Sequence, residues 1–141
     1  MLTYSVSVWG VIIAAFVAMV IGMIWYSPFA FGKKWMALVG MTPDMMAGAK
    51  SGARTAYSIS AVVSLIMMYV LGLFISNMFT PTLGEAIRVG FLAWLGFAAT
   101  SMSAEYLYSV KQKPWSLYVI NAGYQLAIML AGSIILYFFM S

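Results

Sequence analysis

The chain has 141 residues, 65% of them hydrophobic and 7% charged, with seven Lys or Arg against three Asp or Glu and a formal charge of +4. Soluble domains carry about a quarter charged residues, so a water-soluble globule is excluded, and a mean hydropathy of +1.00 points to a chain that lives in lipid. Cysteine and histidine are both absent, which removes disulfides, thiol nucleophiles, imidazole proton shuttles and most zinc or haem ligation, so no cofactor and no metal is expected.

At about 20 residues per crossing, the length fits four spans with short connections and leaves no room for a separate soluble domain. The expected fold is all-α: an integral membrane four-helix bundle made by one transmembrane domain over residues 1–141. Hydropathy and interfacial residues put the spans at about 6–26, 56–78, 85–106 and 115–139, with basic loops at about 27–55 and 109–114 and a short interfacial helical segment between the first two spans. The N-terminus lacks the basic region of a secretory signal and its apolar stretch is long enough to span, so the first helix is expected to be retained as its own targeting signal.

The first span closes at Trp25-Tyr26-Ser27-Pro28, and Phe31-Gly32-Lys33-Lys34-Trp35 follows. Pro28 has no amide hydrogen and disfavours a helical residue before it, Gly32 permits a left-handed stop, and paired lysines between aromatic rings suit headgroup depth. Within this span Ala14, Ala18 and Gly22 recur every fourth residue and form a small-residue face where another helix can approach closely. After the corner, Thr42-Pro43-Asp44 reads as an N-cap, a first-position proline and an acidic first-turn residue, so a helix begins there that can run on into the second span.

Asn77 to Gly84 is an uncharged turn, and Glu85 with Arg88 opens the third span as a headgroup-level pair. Ala93, Gly96, Thr100 and Ser103 lie along one face of that span, where a close helix partner is expected. Glu105 falls near its end. In the fourth span Asn121 and Gln125 share a face inside the bilayer, where unsatisfied amides are expensive. Ser101, Ser103 or Glu105 stand at comparable depth, so an interhelical polar cluster of these five residues is expected. Gly123, Ala127 and Ala131 give the fourth span a small-residue face of its own.

Lys33, Lys34, Lys50, Arg54, Lys111 and Lys113 fall on one side of a four-span topology, and Arg88 alone falls on the other. Basic residues in short loops mark the cytoplasmic side, which puts both termini on the periplasmic or extracellular side. The basicity therefore reports orientation, and no nucleic-acid partner is expected.

The stretch Trp25-Tyr26-Ser27-Pro28 with Phe31-Gly32-Lys33 and Trp35 resembles the signature of the small bacterial membrane proteins grouped as the domain of unknown function 1761 family. Trp94-Leu95-Gly96-Phe97 and Ile120-Asn121-Ala122-Gly123-Tyr124 are similar to later blocks of that family, in which histidine often stands where this chain has Gln125. The resemblance implies a four-span bundle in a bacterial inner membrane, and it carries no established activity.

Three functions are compatible with these residues. The leading one is a non-enzymatic bundle acting by association, as a homo-oligomer or an accessory subunit among other membrane subunits in the lipid bilayer. The alternative is a small oligomeric channel or transporter whose path uses Asn121, Gln125, Ser101, Ser103 and Glu105. An enzyme acting on lipids or quinones would have only Glu105 with Tyr106 or Tyr108, with no nucleophile and no oriented base, so no catalytic residue is assigned.

Overall fold

The computed structural model describes residues 1–140. The elements are α1 (Val8–Trp25), α2 (Gly32–Val39), α3 (Pro43–Asn77), α4 (Leu83–Ala93), a π-helical turn (Trp94–Ala99), α5 (Thr100–Leu107) and α6 (Trp115–Met140). Four helical stretches are long and apolar enough to cross a membrane: α1, α3, the continuous run Leu83–Leu107, and α6. The expected spans fall inside these bounds or within two residues of them.

Three of the four spanning stretches start at a side-chain cap. The Ser7 hydroxyl accepts from the Gly10 amide, Thr42 accepts from Met45 ahead of Pro43, and Thr82 accepts from Glu85, whose carboxylate also faces the positive end of its helix. The corner after α1 is tied by its own backbone. Phe31 donates to the Trp25 carbonyl at 2.9 Å and Gly32 to the Ser27 carbonyl at 2.9 Å.

Gly32 itself is not left-handed, contrary to expectation. It opens α2, and a Cβ there would run into the carbonyls of Tyr26 and Ser27, so glycine is needed for close approach. The left-handed position is Gly40, φ 72°, which ends α2.

The helix that begins after Thr42 runs on into the second span, through the later part of the stretch 27–55. Pro43–Asn77 is one unbroken helix of 35 residues, roughly 50 Å at 1.5 Å per residue, against a hydrocarbon core of about 30 Å. About four turns therefore extend beyond that thickness, and they carry Lys50 and Arg54, because nothing between the Thr42 cap and the apolar run breaks the helix. The intended interfacial segment is α2.

In the core, α6 is the hub. It packs closely against α1 and α4 and also against α3, whereas α3 and α4 meet only sparsely. Ala14, Ala15 and Ala18 are buried with Met68, Leu71, Ile128 and Leu136, so Ala14 and Ala18 of the small-residue face are used up inside the chain, whereas Gly22 is half-buried. At the end away from the basic loops, the Asn77 side-chain amide pairs with the backbone of Thr3, accepting from its N–H at 2.7 Å and donating to its carbonyl at 2.8 Å. That pairing lays the N-terminal segment against α3.

Gly90 and Gly96 test this packing against each other. A methyl at Gly90 would overlap the Ser133 hydroxyl and come within 3.0 Å of the Met129 carbonyl, whereas one at Gly96 meets nothing within 4 Å. Thermal unfolding in detergent followed by circular dichroism should show Gly90→Ala destabilising by about 1–3 kcal/mol, the usual cost of overpacking. Gly96→Ala should be neutral or stabilising by up to about 1 kcal/mol through helix propensity.

Candidate functional site

The residues that carry the family-like signature converge at the basic end of the bundle. Trp25, at the last turn of α1, donates its indole N–H to the Ile120 carbonyl at 3.0 Å. Trp94, from the π turn, donates to the Ala122 carbonyl at 2.9 Å. The two indoles thus reach α6 from α1 on one side and from the third span on the other, using carbonyl lone pairs that the helix's own ladder leaves spare. Gly123 lets the Trp25 ring lie close, since a Cβ there would sit 3.1 Å from Cζ2. Likewise, a Cβ at Gly22 would stand 3.0 Å from the Tyr124 hydroxyl.

Between the indoles sits Asn121. Its Oδ1 accepts from the Tyr26 hydroxyl at 2.8 Å and its Nδ2 donates to the Tyr106 hydroxyl at 3.0 Å. Tyr106 is buried, with its ring near Trp115 and Tyr118. Tyr118 donates to the Ala99 carbonyl at 2.7 Å, at the end of the π turn. Tyr26 in turn sets its ring edge-on to Trp35 at 5.6 Å and to Tyr124 at 5.3 Å. This arrangement joins the corner after the first span to the Asn-Ala-Gly-Tyr block of the fourth through the bonded polar atoms of Tyr26, Asn121 and Tyr106.

The expected five-residue polar cluster does not form. Glu105 lies on the surface, ion-paired with Lys113 and with its side chain 61% exposed. Ser101 is exposed, and Ser103 donates to the Thr100 carbonyl at 2.6 Å. Asn121 takes Tyr26 and Tyr106 instead.

The cause is the π turn. With about one extra residue in the turn, the buried face that runs through Ala86, Gly90 and Ala93 resumes at Ala99 and Tyr106, not at Gly96 and Thr100. Gly96 and Thr100 are therefore exposed, which also corrects the expected contact face of that span. Ala93 keeps its place in the core, and Ala127 and Ala131 are half-buried on α6. Tyr106 and Tyr118 were the residues missed. A buried tyrosine at the depth of an intramembrane asparagine needs a partner for its hydroxyl, and that was the available signal.

Two clefts of about 440 Å³ each flank α3. One opens between α3 and α4, walled by Met67, Val70, Phe74, Phe97 and Ala98 and floored by Gln125 of α6. Among the described residues the Gln125 amide has no hydrogen-bond partner. The other lies between α1 and α3 and is lined by hydroxyl groups. A third cavity of about 560 Å³ at the opposite end is bounded by the N-terminal segment and the turn at Thr80 and Pro81.

Fold and site together define a polytopic α-helical membrane protein held at its basic end by an aromatic and asparagine clamp. The family model described as "Protein of unknown function (DUF1761)" matches residues 9–137, and the chain belongs to that family. No curated protein and no solved structure matches it.

If the clamp holds the bundle, Asn121→Leu strands the Tyr26 and Tyr106 hydroxyls and should cost about 1–3 kcal/mol of stability in detergent. Glu105→Gln removes a surface pair and should cost less than about 1 kcal/mol, an effect that fades with added salt. Parallel melts of the two variants in low and high salt check both expectations.

Proposed function

We propose that the protein is a non-enzymatic bundle of the bacterial inner membrane that works by association, receiving a transmembrane helix of a second copy or of another subunit in the cleft between α3 and α4. The basic end then faces the cytoplasm, a reading that the distribution of lysine and arginine supports.

The observation that carries this reading is the cleft itself. The chain leaves α3 and α4 apart over α6, with walls almost entirely of hydrocarbon and a single bare amide at the floor. Lipid gives helices no hydrophobic reason to associate, so association rests on close packing and on hydrogen bonds between helices. An incoming helix that fills this space and meets Gln125 gains both, and it relieves an amide that is costly when unpaired in hydrocarbon. Chemistry is a poorer match to the same structure, since Glu85 is paired with Arg88 at 3.4 Å and Glu105 with Lys113, both at the surface. The residues that a polar path would use, Asn121, Gln125, Ser101, Ser103 and Glu105, face different surroundings and do not converge.

Native mass spectrometry of the protein released gently from its own membrane tests this. The particle should exceed the 15.5 kDa of one chain. Ala98→Trp, which fills the cleft, should return it to a single chain, and Gln125→Leu should weaken the assembly about tenfold, equivalent to one lost hydrogen bond. A particle of one chain, or an assembly that Ala98→Trp leaves intact, overturns the reading.

A further inference from the structure

The cleft on the other flank of α3 has a different chemistry. It is walled by Met19, Gly22 and Met23 of α1 and by Tyr57, Ser60 and Ser64 of α3, with Tyr124 of α6 and Tyr26 completing it. The Tyr26 hydroxyl is occupied by Asn121. Among the described residues, the hydroxyls of Tyr57, Ser60, Ser64 and Tyr124 have no partner in the chain. That is unusual for serine in an apolar helix. Ser58 and Ser133 bond back to the carbonyls four residues earlier, at 2.9 and 2.8 Å, and Ser60 and Ser64 do not. Four hydroxyl donors thus face one groove that opens to the bilayer.

Their depth and order name the occupant. Lys50, Arg54, Tyr57 and Ser64 follow one another at spacings of four, three and seven, so they run down a single face of α3, with Ser60 beside them. The two cations stand on the part of α3 that leaves the hydrocarbon. Tyr57 lies at the level where the helix enters it, and Ser64 is about two turns deeper. From the surface inward, the groove offers cationic groups, then hydroxyl donors, then the flexible apolar side chains of Met19 and Met23. A glycerophospholipid presents a phosphate, then ester carbonyls that only accept hydrogen bonds, then acyl chains, in the same order and over the same depth.

We infer that the groove between α1 and α3 is a binding site for one anionic glycerophospholipid of the leaflet at the basic end. Arg54 and Lys50 meet its phosphate, Tyr57, Ser60 and Tyr124 donate to its ester carbonyls, and Met19 and Met23 line the path of an acyl chain. This site does not depend on the α3–α4 cleft, which lies on the opposite flank of the same helix.

The test uses the full chain equilibrated with vesicles of equimolar phosphatidylglycerol and phosphatidylcholine, extracted in mild detergent and weighed by native mass spectrometry. The unaltered protein should retain one phosphatidylglycerol per chain in preference to phosphatidylcholine. Ser60→Trp, at an exposed position on the groove, should cut that occupancy about tenfold, the effect expected when one or two hydrogen bonds are lost. Arg54→Gln, outside the bundle, should abolish the preference between the two lipids while some lipid still binds. Tyr57→Phe removes one hydroxyl without adding bulk and should lower occupancy in the same direction, and it keeps the test valid if Ser60→Trp impairs folding. Ala98→Trp should leave the lipid in place. Equal retention of both lipids by the unaltered protein, or full occupancy in both Ser60→Trp and Tyr57→Phe, overturns the inference. So does a lipid-free dimer that Ser60→Trp disperses, because a second copy would then fill the groove.

Discussion

The indole hydrogen bonds from Trp25 and Trp94 to the Ile120 and Ala122 carbonyls are the constraint on which the rest of the bundle depends. Helices in hydrocarbon gain nothing by hiding apolar surface from one another, so their relative positions are set by close packing and by the few hydrogen bonds between them. Here most of those bonds gather at the stretch of α6 from Tyr118 to Ala122. With α6 held from two sides, Gly123 lies under the Trp25 ring and Asn121 falls between Tyr26 and Tyr106. Each link needs the others in register. Turning α6 by one residue, about 100°, would take Asn121 off both hydroxyls and put a side chain where Gly123 admits the ring.

The π turn at Trp94–Ala99 makes that register possible from the side of the third span. A regular helix from Leu83 would have continued its buried face through Gly96 and Thr100 and left Tyr106 turned toward lipid. The wide turn instead directs Trp94 to α6, offers the Ala99 carbonyl to Tyr118, and swings Tyr106 inward to Asn121. It also moves Glu105 outward, where Lys113 meets it at the surface. One local irregularity therefore decides both which residues enter the clamp and why the only acidic group near that depth stays out of it.

Much of the architecture was legible in the sequence because it follows from local rules. Span number and limits follow from hydropathy and aromatic belts, the start of α3 from Thr42-Pro43-Asp44, and the corner from Pro28 and the lysines beside it. Tertiary placement was less legible. Sequence alone suggests a left-handed stop at Gly32, whereas its role is to avoid the carbonyls of Tyr26 and Ser27, a close approach that exists only once the turn is built. A 3.6-residue period puts Gly96 on a contact face, the π turn interrupts that period, and nothing in Trp94-Leu95-Gly96-Phe97 marks the interruption. An amide at the depth of Asn121 needs partners. Its actual partners depend on helix rotation, and spacing along the chain does not fix that.

Where the polar groups are satisfied also decides where they are not. At the basic end the clamp consumes its donors and acceptors within the chain, and at the opposite end Asn77 and Thr3 do the same. The unpaired side-chain groups within membrane depth stand mainly on the two flanks of α3, where Gln125 faces one cleft and Ser60, Ser64 and Tyr124 face the other. The same helix is the least buried of the four that are long enough to span, and it meets α4 only sparsely. The Ser109 hydroxyl at the basic end is buried without a partner, but the open groups that face clefts line both sides of α3, and a polar group left open in hydrocarbon is costly, so that helix is left for contacts from outside. The two flanks differ in kind, one nearly all hydrocarbon around one amide, the other graded from cations through hydroxyls to methionine, so they select different occupants: a helix on one side and a lipid on the other.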